Sequence, residues 1–306
     1  MTGTHDRAVV TRATLLIMFS ACCFGSIPII ITLATARGAR LADLLAWRFL
    51  LAAPLLVVAS GGLARVRLPR DRALPLFLLA GGGQALVNVV SLSALAYIPA
   101  ATLTFLFYSY PAWVAVIAAI RGTDALTPRR AGALLLSLAG LTLMIGMPGA
   151  GGLHPVGVAL ALSAAVMYAI YIPTIDHLGR GLAPAVTSAY ASAGAAVVLT
   201  SIAMATGGLA VRFAPSGWIA VGLLAVLCTV FAFLAFLRGL GTIGPVRTAI
   251  VSTIEPFWAA LLGSVLLGQQ LNTRTLAGGL LIATAVVLLQ LGPRASVAEV
   301  ANRPVS

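Results

Sequence analysis

The sequence predicts an all-α polytopic membrane protein in which ten transmembrane helices form two inverted five-helix repeats. Three observations carry that prediction. Of the 306 residues, 60% are hydrophobic and 8% charged, with a mean hydropathy of +1.07, whereas about a quarter of the residues in soluble domains are charged. Landmarks of the first half recur in order 145 or 146 positions later. Two matching connections carry very different numbers of arginines, as loops on opposite faces of a bilayer do.

Apolar runs bounded by Arg, Gly or Pro divide the chain into helices near 13–34, 43–59, 73–96, 99–120, 130–147, 155–176, 183–205, 216–238, 244–267 and 275–292. Each is close to the roughly 20 residues needed to cross the hydrocarbon core. The first run follows Arg7 and Arg12 and is followed by Ala34-Thr35-Ala36, which is reminiscent of a signal peptide. It is longer than a signal h-region and is therefore read as a helix. The expected organisation is a cytoplasmic tail at 1–12, a first repeat at 13–147, a second at 155–292 and a cytoplasmic tail at 293–306.

The repeat rests on four matches in register: Pro28 with Pro173, Ser60–Arg65 (SGGLAR) with Thr206–Val211 (TGGLAV), Tyr110–Trp113 (YPAW) with Glu255–Trp258 (EPFW), and Gly132 with Gly278. So long a period indicates paired half-domains and not a solenoid. With the N-terminus in the cytoplasm, the inside segments hold 14 arginines and the outside loops only Arg37, Arg40, Arg212 and Arg274, while Arg48 lies within a helix. The positive-inside rule therefore places both termini in the cytoplasm. The first-half connection GGLARVRLPRDR carries four arginines and its counterpart GGLAVRFAP one. An odd number of helices per half puts those loops on opposite faces, and inverted halves that exchange conformations give alternating access to a central site.

Of the seven acidic residues, Asp6, Asp71, Asp124 and Glu299 fall in tails or loops and Asp43 and Asp176 near helix ends. Glu255 lies halfway along the ninth helix. An ionised carboxylate at that depth costs a few kcal/mol, and intramembrane carboxylates mark substrate or proton sites. Glu255 is thus either a coupling or substrate group, or a structural hydrogen-bond donor beside the Pro256 kink. The matching position in the first half is Tyr110-Pro111. Pro28, Pro111, Pro173 and Pro256 are helix-kink candidates in paired places, as expected of the bent helices around transporter sites.

Gln84, Asn88 and Ser91 share one face of the third helix at i, i+4 and i+7, lining either a polar cavity or a helix contact. Phe105, Tyr108, Trp113, Tyr168, Tyr171 and Trp258 add aromatic surface near the same depth, suited to packing, lipid contact or ligand binding. Tyr168 and Tyr171 join Glu255, Tyr110, Gln84, Asn88 and Ser91 as substrate or coupling candidates. Arg48 is expected to snorkel to the headgroups or pair with Asp43, with an anion clamp as the alternative.

His5, His154 and His177 have no second ligand at metal spacing, so no metal, cofactor or catalytic residue is expected. Cys22, Cys23 and Cys228 lie inside apolar runs and read as small buried hydrophobes. The formal charge of +12 is unaccompanied by Arg–aromatic interleaving. It points to anionic lipid and not to nucleic acid.

Several segments resemble the drug/metabolite transporter superfamily, specifically its EamA-type permeases. These are FGSIPIII, WRFLLAAPLL, SLSALAYIPAATLTFLF leading to YP, RRAGALLLSLAGLTLMI, and TIGPVRTAIVSTIEPFWAALLGSVLLG followed by TLAGGLLIATAVVLL. The resemblance spans residues 13–292. It implies a ten-helix permease of two inverted repeats with peripheral fifth and tenth helices and a cavity among the others, exporting amino acids, nucleosides, drugs or similar metabolites. The family's Gly-Glu after helix nine is replaced by Gly268-Gln269, and Gly122-Thr123-Asp124 is the first-half match; the Glu-Pro at Glu255 is kept.

The expected function is a bacterial inner-membrane permease that moves a small organic metabolite outward by alternating access, as a monomer or homodimer, with protons as the candidate coupling ion. A structural or receptor-like membrane protein and an intramembrane enzyme are the alternatives. The enzyme would need a second ionisable group or nucleophile beside Glu255.

Overall fold

A computed structural model describes residues 2–98, 100–122, 127–145, 154–211, 213–268 and 273–290. The described residues are helical with no strand. Seven helical stretches are long and apolar enough to cross a membrane: Ala8–Thr35, Leu41–Ala59, Arg70–Ser93, Pro155–Leu178, Pro184–Ala205, Pro215–Ile243 and Pro245–Leu267. Tyr110–Ile120 and Thr273–Leu288 are shorter apolar helices. Large apolar side chains such as Val58, Ile120, Val265 and Leu280 point outward, each more than two-thirds exposed. Such an apolar exterior suits lipid and would be an aggregation surface in water.

The first half holds α1 (Thr2–Gly25), α2 (Ile27–Thr35), α3 (Leu41–Ala59), the short α4 (Leu63–Val66) and α5 (Arg70–Pro75), a π-helical segment Leu76–Gly82, α6 (Gly83–Ser93), α7 (Ala100–Phe107), α8 (Tyr110–Ile120) and α9 (Pro128–Ile145). The second holds α10 (Pro155–Leu178), α11 (Pro184–Ala205), α12 (Pro215–Ala225), a π-helical segment Val226–Phe231, α13 (Ala232–Ile243), α14 (Pro245–Ser252), α15 (Ile254–Leu267) and α16 (Thr273–Gln290). A π-helical segment thus interrupts the third long helix of each half. The helix expected to start at 13 begins at Thr2, so most of the expected N-terminal tail is helical. The tail at 293–306, with Arg294, Glu299 and Arg303, lies outside the described residues, as do Arg212, Thr123, Asp124, Gln269 and Gln270.

The helix expected over 99–120 is broken at Tyr108-Ser109 and that over 244–267 at Thr253, 145 positions after Tyr108. The cause is local. Pro111 and Pro256 cannot donate backbone hydrogen bonds, so the turn preceding each loses its continuity. α1 and α2 meet at Ser26, two residues before Pro28. At Pro173 the helix runs through without interruption, as it does at Pro54.

Packing repeats across the halves. α1 packs on α13 and α15 as α10 packs on α6 and α8, while α3 packs on α11 and α9 on α16. These last two pairs run antiparallel. Leu45 and Phe49 of α3 cluster with Ala195, Ala196 and Leu199 of α11, and farther along α3 Ala52 and Leu56 cluster with Val186 and Ala189. In the other pair, Gly132 faces Leu288, and a Cβ on Gly140 would lie 2.6 Å from the Gly278 carbonyl.

Helices in lipid gain little from hydrophobic association and depend on close backbone approach through small residues. α11 follows that rule: its buried face is Ala185, Ser188, Ala189, Ala191, Ser192, Gly194, Ala195 and Ala196. Gly194 sits directly on the Phe77 carbonyl and Gly81 of the first π-helical segment. The residue 146 positions earlier, Arg48 on α3, meets the second π-helical segment instead, where its Nη2 donates to the Cys228 carbonyl at 3.0 Å.

Candidate functional site

The breaks in the split helices place the candidate residues. Tyr108 lies at the α7–α8 break and Tyr110 opens α8, while Glu255 stands in the first turn of α15 just after Thr253. Loss of helical continuity turns these side chains inward from two directions. The Tyr108 hydroxyl faces the Glu255 carboxylate, and the Tyr110 hydroxyl faces Ser252. Tyr110 and Tyr108 are 1% and 7% exposed.

α10 contributes the other half of the cluster. Tyr168 meets Tyr110 edge-on with centroids 4.8 Å apart, stacks on Tyr171 at 5.9 Å and contacts Phe107 at 5.5 Å. The Tyr171 hydroxyl is buried without a hydrogen-bond partner, leaving a donor and an acceptor available to a bound molecule. α1 closes the site from the other side. Gly25 lies against the Glu255 backbone and the Trp258 ring, and Trp258 Nε1 donates to Ser26 Oγ at 3.0 Å across the α1–α2 break.

Glu255, Tyr110, Tyr168 and Tyr171 therefore converge. Gln84, Asn88 and Ser91 lie half-buried on α6, which packs on α10. Gly83, next to Gln84, faces the Tyr171 ring, while Asn88 Nδ2 donates to the Gln84 carbonyl at 2.7 Å. Trp113 is 39% exposed on the outer face of α8.

Arg48 departs from both destinations first expected of it. It is 3% exposed and does not reach the headgroups, and Asp43 is ion-paired with Arg40 at 3.6 Å. Arg48 Nε donates to Thr229 Oγ1 at 2.6 Å, its Nη2 to the Cys228 carbonyl, and its guanidinium covers the Phe49 ring at 4.9 Å. A π-helical turn shifts backbone pairing from i−4 to i−5, and Thr229 Oγ1 itself donates to the carbonyl of Leu224, five residues back. Arg48 is also within electrostatic range of Glu255. The enzyme alternative anticipated an ionisable neighbour of Glu255; Arg48 is such a neighbour, a cation held by neutral acceptors.

Sequence reasoning passed over Ser252, placed Tyr108 only among the aromatic surface at this depth, and held Arg48 only as an alternative anion clamp. Ser252 precedes Glu255 by three residues across the Thr253 break, where helix-face spacing gives no signal. Tyr108 and Tyr110 are two apart, which in an unbroken helix would separate them by about 200°. Cys23 and Cys228 are buried and all three cysteines are free. No group of three or more metal-ligating side chains occurs among the described residues.

The fold is that of a polytopic helical protein with a partly buried carboxylate among tyrosines, and the comparisons place it among membrane transporters. The EamA-like transporter family matches twice, over residues 11–146 and 155–291, and the chain belongs to that family, whose members are transporters and not enzymes. The two matches to one family make the halves repeats of the same unit. The chain also superimposes on a solved structure, titled only as a crystal structure of a protein, with a TM-score of 0.77 and 20% identity over 92% of this chain and 97% of that one. That likeness shows the fold alone. No curated protein sequence matches the chain significantly.

Proposed function

We propose that the protein is a ten-span permease of the bacterial inner membrane that exports a small organic metabolite by alternating access, with Glu255 as its proton or substrate site. The observation that carries this reading is the meeting of Glu255, Tyr108 and Tyr110, at helix breaks contributed by both halves, with Tyr168 of the unbroken α10. Breaks of this kind expose backbone and polar groups at mid-membrane only where protein or a cavity receives them.

Inversion of the halves is supported by the antiparallel packing of α3 with α11 and of α9 with α16, since each pair consists of matching members of the two repeats. Inverted halves that exchange conformations present a central site to either side of the membrane in turn. Export is supported by the family resemblance, and cytoplasmic termini by the concentration of arginines on one face.

Glu255→Gln in proteoliposomes tests the reading. The variant purifies as a folded protein, and flux driven by a pH gradient falls to the level of empty vesicles. Full coupled flux in the variant sinks the role assigned to Glu255.

A further inference from the structure

A cavity of about 1030 Å³ opens between α1, the α10–α11 connection and the end of α13. Three arginines, Arg12, Arg180 and Arg238, line it against one carboxylate, Asp176. Asp176 is ion-paired with Arg180 at 3.6 Å, so the wall as a whole is positive. Arginines on this face of a membrane protein are ordinarily solvated or meet lipid, and three of them would carry no inference alone.

Two further features belong to the same wall. It includes Gly181, Leu182 and Pro184 at the start of α11, a 22-residue helix whose N-terminus has no side-chain cap. The positive end of the helix dipole falls there, although the Val186 and Thr187 N–H groups already donate to the Ala183 carbonyl. Thr187, in the first turn of that helix, also lines the cavity; it is 1% exposed and its hydroxyl has no hydrogen-bond partner. The cavity floor is formed by Ala13, Ile175 and Leu240, which belong to the same packed cluster as Tyr108, Tyr110 and Tyr171.

We infer that this cavity binds a small oxyanion, a carboxylate or phosphate group, gripped by Arg12, Arg180 and Arg238 over the N-terminus of α11. Arginine forks and helix N-termini both favour such groups. As an account of substrate class, with an anion gathered at the mouth above the tyrosine cluster, it rests on the transporter reading. As an account of binding it does not.

The test uses full-length protein in nanodiscs and inorganic phosphate as the probe, with heat of binding as the readout. In phosphatidylcholine discs phosphate binds saturably, and the pair Arg12→Gln and Arg238→Gln, both exposed, weakens it about tenfold or more while the protein keeps its gel-filtration profile. Phosphatidylglycerol discs separate the two sources of the anion. Loss of phosphate binding there assigns the cavity to a lipid headgroup, and its retention to a soluble oxyanion. Absence of saturable binding in phosphatidylcholine, or binding unchanged in the double variant, overturns the inference. Flux measured on the same preparation fails or succeeds independently, so a protein that transports without binding phosphate loses only the oxyanion site, and one that binds without transporting loses only the permease reading.

Discussion

Arg48 reaches from α3 to the carbonyl of Cys228, 3.0 Å away in the π-helical segment Val226–Phe231. A buried cation with only neutral acceptors repays little of its desolvation, and replacing such a charge with an apolar residue of similar length is often tolerated. Arg48→Met is therefore expected to fold, with a melting temperature in detergent within a few degrees of wild type. Transport should fall steeply, because the charge lies within range of Glu255. A thermal scan paired with a flux assay checks both halves, and a variant that transports normally removes Arg48 from the site.

The seam between Gly194 and the Phe77 carbonyl leaves no room for a methyl group. Gly194→Ala forces α11 off the first π-helical segment, and overpacking of this kind typically costs about 1–3 kcal/mol. Lower yield and a clearly lowered melting temperature are expected. Unchanged thermal stability contradicts the closeness of the seam.

Tyr108→Phe removes the hydroxyl that faces Glu255 and little else. A hydrogen bond from that hydroxyl to the carboxylate is worth about 1.5–3 kcal/mol, so coupled flux should fall about tenfold or more with folding intact. The same change at Tyr190, whose hydroxyl donates to the Val66 carbonyl far along the chain at 2.8 Å, is expected to lower stability without altering the coupling. Comparing the two variants separates a role in transport from one in packing.

Arg37 and Arg180 lie at opposite ends of the bundle. α11 starts beside Arg180 and ends where Arg40 grips the Thr206 and Gly208 carbonyls, and its 22 residues span about 33 Å. In a background lacking the native cysteines, Arg37→Cys should react with an impermeant maleimide in intact cells and Arg180→Cys only after lysis. Labelling of both from one side refutes the proposed orientation.

Much of the architecture was legible in the sequence, for physical reasons that can be named. Hydrophobic run length marks spans because lipid offers no alternative partner for the backbone, and the proline pairs at 111 and 256 locate the broken helices because their missing N–H groups have purely local effects. Tyr110, Tyr168, Tyr171 and Glu255 could be gathered by depth alone. Arg48 could not be placed this way: depth put it near a headgroup, whereas its partner is a carbonyl 180 residues away made available by a helix of unusual pitch. Nothing in VLCTVF announces a π turn. Tyr108, placed at the right depth, was not joined to Tyr110 for the related reason that helical periodicity stops applying where the helix breaks.

The π-helical segments Leu76–Gly82 and Val226–Phe231 have a consequence for how these helices tolerate insertion and deletion. A π turn carries one residue more than an α turn, so its excision restores ordinary pitch while rotating everything downstream by about 100° relative to everything upstream. One residue removed within 76–82 would swing Gln84, Asn88 and Ser91 round the axis of α6, and one removed within 226–231 would do the same to Phe233 and Phe236 on α13. Each helix therefore consists of two faces set in a fixed angular phase, and the length of a six- or seven-residue stretch, more than the identity of its side chains, decides which groups are turned toward the centre of the molecule.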